Sequence, residues 1–276
     1  MPSKTNSIHG FHISCILYIA AMAAKRSTTG TTTFFQRLLR FLKRFFIVLF
    51  IAQFIYIILL KWINPPITIT QLVSVLKGEG LKRDYINIEQ MGSNARLAVI
   101  AEEDQLFPKH SGFDWKMIEQ AMEHNEKKPT RIRGASTISQ QTAKNVFLWQ
   151  GRSWFRKGLE MYFTKMIEWI WGKKRILEVY LNVAEMGKGV YGIEAAAKQY
   201  YKKSAKQLTR VEAAQIAASL RNPKKYTVKP LSPQVASRSQ WVLRQMNNLE
   251  GDAAIQLLIS DDVQPKTEKK KKPSAE

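Results

Sequence analysis

The chain has 276 residues, 45% of them hydrophobic, enough for one well-cored domain with appendages and too apolar for disorder to be the default reading. Lysine and arginine number 43 against 22 acids, a formal charge of +21. A surface this basic attracts nucleic acid, anionic headgroups or a phosphorylated substrate, or is simply solvated, and composition does not choose. The lone cysteine, Cys15, excludes a disulfide framework, and His9, His12, His110 and His124 lack the H-x-x-x-H spacing of a helical metal site.

In chain order, residues 1–44 contain no acid and form a basic N-terminal segment. The sequence MAAKRSTTG from Met22 reads as a natural start, so residues 1–21 are expected to be an upstream extension. Residues 45–60, FFIVLFIAQFIYIILL, carry no charge and are followed by Lys61, Trp62 and Ile63. With snorkelling ends, residues 45–63 approach the roughly 20 needed to cross a bilayer. Arg37, Arg40, Lys43 and Arg44 precede the run, which by the positive-inside rule puts the N-terminus in the cytoplasm and the remainder outside. A cleavable signal peptide fits less well, because Lys-Trp-Ile-Asn-Pro-Pro follows in place of small residues.

Residues 64–250 read as one domain dominated by helices. The apolar run 95–101 predicts a buried helix ending at Glu102 and Glu103. Asp114 is positioned to cap a helix carrying Trp115, Ile118 and Met122 on one face. Leu159, Phe163, Met166, Ile167 and Ile170 repeat at helical spacing, continued by Ile176, Leu177, Tyr180 and Leu181. Thr209 and Glu212 make a capping-box pattern, and Ser232-Pro233 opens a helix to about Leu249. Only DYINIEQ, residues 84–90, alternates like a strand. Residues 251–276, ending in TEKKKKPSAE, read as a frayed basic tail.

Four segments put polar groups where periodicity predicts plain core or surface. In AEEDQLFPKHSG three successive acids crowd a helix end, and crowding raises a carboxyl pKa toward what a general base needs; an acidic helix end is also commonly just solvated. Residues 133–141, RGASTISQQ, with Lys144 beyond, are rich in hydroxyls and amides that bind sugar and phosphate oxygens, or else form a helix cap with incidental glutamines. Arg152, Arg156 and Lys157 near Glu160 can clamp a diphosphate or merely pair along a helix. Residues 173–182 pattern as a packing helix. Gly187, Gly189 and Gly192 match G-x-G-x-x-G, but they follow a helical run and read as a tight turn between helices.

Taken in order, these segments resemble the peptidoglycan glycosyltransferase family, which includes the transglycosylase domains of bifunctional penicillin-binding proteins. E-D-x-x-F-x-x-H-x-G is met by Glu103, Asp104, Phe107, His110 and Gly112. G-G-S-T-I-T-Q-Q is met with Ala135 and Ser139 as departures, R-K-x-x-E by Arg156, Lys157 and Glu160, and the fourth motif by Arg175 through Asn182. A fifth, looser motif fits Arg210, Glu212, Ala213, Ala217 and Leu220, but Gln215 and Arg221 stand where an apolar residue and proline are usual. By this resemblance the chain is expected to be like the monofunctional Gram-negative members, without a transpeptidase domain.

The resemblance implies a mainly α, lysozyme-like domain behind a single transmembrane helix, anchored in the bacterial inner membrane with its catalytic part periplasmic. It implies polymerisation of lipid II and lipid-linked glycan into β-1,4 strands, with inversion and release of undecaprenyl pyrophosphate. Glu103 would be the general base and Glu160 the second essential acid. Ser136, Gln140, Gln141, Lys144, Arg152, Arg156 and Lys157 would bind substrate, with Asp104, Phe107, His110 and Gly112 as structural motif residues and Glu102 a bystander. A divalent cation, Mg²⁺ or Mn²⁺, is expected to screen the diphosphate, with no separate metal motif and no organic cofactor. Other wall-synthesis or division proteins are the expected partners, and nucleic acid is not. A lysozyme-like hydrolase and a membrane-tethered basic scaffold are the alternatives; the cations between Glu103 and Glu160 argue against the first, and the expected topology against the second.

Overall fold

The computed structural model describes residues 29–130, 132–151 and 153–260, with side chains from residue 33 onward. The expected extension at 1–21, the tail beyond 260 and Arg152 lie outside the described residues. The chain divides into two units, residues 1–56 and 57–276.

Within the first unit runs most of helix α1, Thr29–Leu59, whose stretch Thr33–Leu59 is long and apolar enough to cross a bilayer. Its side chains are exposed from residue 33 to residue 52, among them Phe45, Phe46, Val48 and Phe50. The expected span of 45–63 overlaps the C-terminal part of this stretch. The second unit buries Ile57 and Leu60 in its own core. There the carbonyls at the helix end are satisfied by side chains, as helix ends require: Trp171 Nε1 donates to Ile57 O at 2.8 Å, and Arg175 to Leu60 O and Ile63 O at 2.9 Å each.

Ten further helices are described in the second unit. They are α2 Ile69–Leu76, α3 Ser93–Glu103, α4 Trp115–Lys127, α5 Ile138–Phe147, α6 Trp154–Ile170, α7 Lys173–Val183, α8 Ile193–Tyr201, α9 Arg210–Ser219, α10 Pro233–Leu249 and α11 Ala253–Ile259. The caps read from sequence are in place. The Asp114 carboxylate accepts from Met117 N, Thr209 and Glu212 close a capping box, and Ser232 caps α10 with Pro233 in its first turn.

The buried stripe of α3, from Ala95 to Ala101, packs against α9, α10 and α11. Arg96 within it is fully buried, donating to Gly92 O at 3.2 Å and Leu258 O at 3.3 Å. That bond, with burial of Ile255, Leu258 and Ile259, explains why residues 253–259 are helical rather than frayed. A second group joins α5 to α6 and α7, with Phe147 stacked on Phe163 at 4.7 Å.

Three short strands, β1 Lys82–Arg83, β2 Glu185–Gly187 and β3 Val190–Tyr191, form one sheet in the order β1-β3-β2. β1 runs parallel to β3 with Lys82 opposite Val190, and β2 runs antiparallel to it through a register irregularity. The expected strand at 84–90 is absent there. The Asn182 side chain takes both backbone groups of Ile86, accepting from its N at 3.1 Å and donating to its O at 2.9 Å. Those are the groups a neighbouring strand would use, and Ile88–Gln90 turns into a 3-10 helix. The glycine triplet 187–192 forms the β2–β3 hairpin and the entry to α8, more than the expected turn. Gly192 has φ +87, and a Cβ there would meet Asn182 O at 2.6 Å, so the glycine serves packing and not a nucleotide.

Candidate active site

Helix α3 stops at Glu103 because Asp104 leaves helical geometry, with φ −163 and ψ 83. The Asp104 carboxylate is buried and gathers two donors. Ile138 N, at the start of α5, donates to Oδ2 at 3.0 Å, and His110 Nε2 lies 3.0 Å from both oxygens. Gly112 N donates to His110 Nδ1 at 3.1 Å, so Nδ1 is the acceptor and Nε2 carries the proton toward Asp104. Thr137 Oγ1 then donates to Gly112 O at 2.7 Å. Gly112 has φ +95, and a Cβ would approach Thr164 Cγ2 to 2.8 Å, which excludes other residues there. Phe107 is fully buried beneath, with Lys173 Nζ 4.5 Å from its ring centre. Asp104, Phe107, His110 and Gly112 therefore fasten the end of α3 to the N-terminus of α5, where a carboxylate is also favoured by the helix dipole.

That junction faces Glu103 with the side chains of α5. Gln141 Nε2 donates to Glu103 Oε2 at 2.5 Å, and its Oε1 accepts from Tyr180 OH at 3.3 Å. Burial raises the Glu103 carboxyl above its ordinary value; the Gln141 hydrogen bond and the charges of Lys144 and Arg221 oppose this, and Asp104 adds to it. Lys144, one helical turn beyond Gln140, makes no hydrogen bond or ion pair among the described residues. Burial lowers its pKa, while Glu160 and Glu103 pull it back up, so its ammonium is within electrostatic reach of both acids.

Glu160 on α6 is buried and holds two cations, Arg156 Nη1 at 2.8 Å and Lys157 Nζ at 2.5 Å. Arg156 keeps Nε buried without a hydrogen-bond partner among the described residues. The helix pairing read as the plain alternative is thus real, and it also fixes two cations beside Lys144.

Two of the expected binding residues fall elsewhere. Gln140 is 2% exposed, and its Oε1 accepts from Thr137 N at 3.0 Å to close the capping box of α5. Its place in the motif is a helix start. Ser136 is exposed just before that cap, with no hydrogen bond among the described residues. No three His, Cys, Asp or Glu side chains converge to hold a metal among the described residues, and both Glu160 oxygens are taken by cations.

Sequence reasoning passed over three groups. Glu102, expected to be a bystander, has a 1% exposed side chain and pairs with Arg238 at 2.8 Å; burial pushes its pKa up to about 7, against Arg238 and with help from Glu103. Tyr180 belonged to a helix read as packing alone, and nothing local marks its hydroxyl as the support of Gln141. Ser139 Oγ donates to Glu168 at 2.5 Å, and Lys173 pairs with the same oxygen at 2.6 Å, bracing α5 on α6.

A helical domain in which one raised carboxyl meets a cation cluster defines the class. Residues 70–247 match the transglycosylase family, and the chain belongs to that family. Among its relatives are the biosynthetic peptidoglycan transglycosylases of Escherichia coli O1:K1 and of Escherichia coli O81 strain ED1a. Each is 58% identical over 173 residues, covering 63% of this chain and 72% of the relative.

Proposed function

We propose that the chain is a peptidoglycan glycosyltransferase that polymerises lipid II into linear β-1,4 glycan, with Glu103 as general base. The observation that carries this is a raised, hydrogen-bonded Glu103 near a Lys144 ammonium that makes no ion pair among the described residues. Glu103 takes the proton from the acceptor 4-hydroxyl as that oxygen bonds to the donor anomeric carbon, inverting it. The bond from that carbon to the diphosphate breaks, and the leaving undecaprenyl pyrophosphate carries away the negative charge. It needs no proton but does need preorganised positive charge. Lys144 supplies it, with Arg156 and Lys157 held ready by Glu160; Arg152 joins them on its sequence position. Gln141 aims the base, and Tyr180 aims Gln141. Mg²⁺ or Mn²⁺, if required, travels with the substrate diphosphate, and no step is assigned to it.

The α1 segment supports a single-pass anchor in the bacterial inner membrane. Arg37, Arg40, Lys43 and Arg44 before the apolar stretch support a cytoplasmic N-terminus and a periplasmic domain. Trp154 at 93%, Phe155 at 72% and Trp169 at 76% exposure on α6 fit a face that meets lipid headgroups. A hydrolase is disfavoured because Glu160, the second carboxylate such chemistry needs, has both oxygens engaged by cations.

The test is incubation of the purified protein with lipid II, and separately with preformed glycan. Long glycan with release of undecaprenyl pyrophosphate is expected from the first, and no cleavage from the second. Cleavage of glycan without polymerisation would replace this reading with the hydrolase.

A further inference from the structure

Glu102 leaves α3 about 100° around the helix from Glu103, so the two carboxyls serve different sides of it. Arg238 Nε on α10 donates to both Glu102 oxygens, at 3.1 and 2.8 Å. The same guanidinium lies 3.5 Å from the ring centre of Trp241. These two side chains form one wall of an open pocket of about 620 Å³, completed by Arg221, Tyr226, Gln234 and Arg244. Arg221 and Arg244 are exposed and have no hydrogen bond or ion pair among the described residues. Glu102 neutralises one guanidinium of three, which leaves two open forks beside an aromatic plate. Forks of this kind pair best with a planar oxyanion.

The pocket adjoins the base, since Arg238 in its wall holds Glu102, the residue next to Glu103. It is built on the opposite packing group from the diphosphate cluster, on α9 and α10, which pack on α3. The end of α1 is fastened at Trp171 and Arg175 instead, beside α6 and α7. A lipid diphosphate stays at the membrane surface, whereas the carboxylates of the peptide on its sugar do not have to. We propose that this pocket binds a carboxylate of the substrate's peptide, and so seats the sugar whose 4-hydroxyl meets Glu103. This rests on the function proposed above and names a subsite for the same substrate.

The experiment compares lipid II with lipid II whose peptide carboxylates are amidated, using the full chain and an Arg221→Ala/Arg244→Ala double variant. Both arginines are exposed, and an unchanged melting temperature will show that the variant folds. For the wild type, amidation is expected to raise KM about tenfold with kcat nearly unchanged, the scale of one lost charged hydrogen bond. The double variant is expected to show that raised KM with both lipids. Equal KM values for the wild type, or equal loss by the variant on both lipids relative to wild type, would overturn the peptide site. Absence of polymer from the wild type with either lipid would instead remove the functional reading itself.

Discussion

The two sides of the α3 terminus use cations differently. On the α5–α6 side, buried Glu160 fixes a buried Arg156 and a partly exposed Lys157, and Lys144 makes no ion pair among the described residues. On the α9–α10 side, Glu102 fixes Arg238, and Arg221 and Arg244 stay open to solvent. Each side spends an acid to orient a cation and leaves positive charge over. Burial separates their uses: a fixed charge in a dry site stabilises charge that develops during reaction, while charge at an open rim is screened and acts on binding. Neither ion-paired acid is an argument for high stability, since burying charges costs about what their attraction returns.

That contrast breaks in a definite order of effects. Glu103→Gln removes the proton acceptor and should lower kcat on lipid II about 10³-fold; measured binding of lipid II should hardly change, and comparable loss of binding would make Glu103 a contact rather than a base. Lys144→Met should lower kcat about 100-fold with little change in KM. The opposite pattern, a KM effect like that expected at Arg221 and Arg244, would erase the difference between the two sides.

The smallest effect is on stability. Burial raises the Glu102 and Glu103 carboxyls above the usual 4.5, Glu102 to about 7. The native state therefore binds more protons than the unfolded chain between those values, and stability falls as pH rises through that window. Glu102→Gln should shrink the drop in Tm between pH 5 and pH 8 by about 2–4 °C, the effect of roughly 1 kcal/mol in a domain this size. An unchanged drop would mean that Glu102 does not titrate there.

What could be read beforehand was what neighbours in sequence decide. Asp114, Thr209 and Ser232 announce their helices through bonds spanning three residues, and the apolar run of α3 announces its burial. The ordered motifs singled out Glu103, Gln141, Lys144 and the Glu160 group, which the fold brings near one another. Partners far apart in sequence were not legible. Arg238 sits 136 positions from Glu102, and Asn182 sits 96 from Ile86, whose strand pattern it cancels. Leu258 looked like tail because its anchor, Arg96, lay inside a run that read as apolar. Gln140 shows the reverse case, a motif residue that resemblance assigned to substrate and whose Oε1 closes a helix cap.

The central claim is that the Gln141-bound, buried Glu103 is the base. The most direct measurement is the pH dependence of kcat/KM for lipid II polymerisation in the wild type and in Gln141→Ala. Because burial raises the Glu103 pKa and the Gln141 hydrogen bond holds it down, the wild-type acidic limb should lie above the ordinary glutamate range. It should move to higher pH in the variant. A limb at the ordinary carboxylate value, or one that Gln141→Ala leaves in place, would contradict the account.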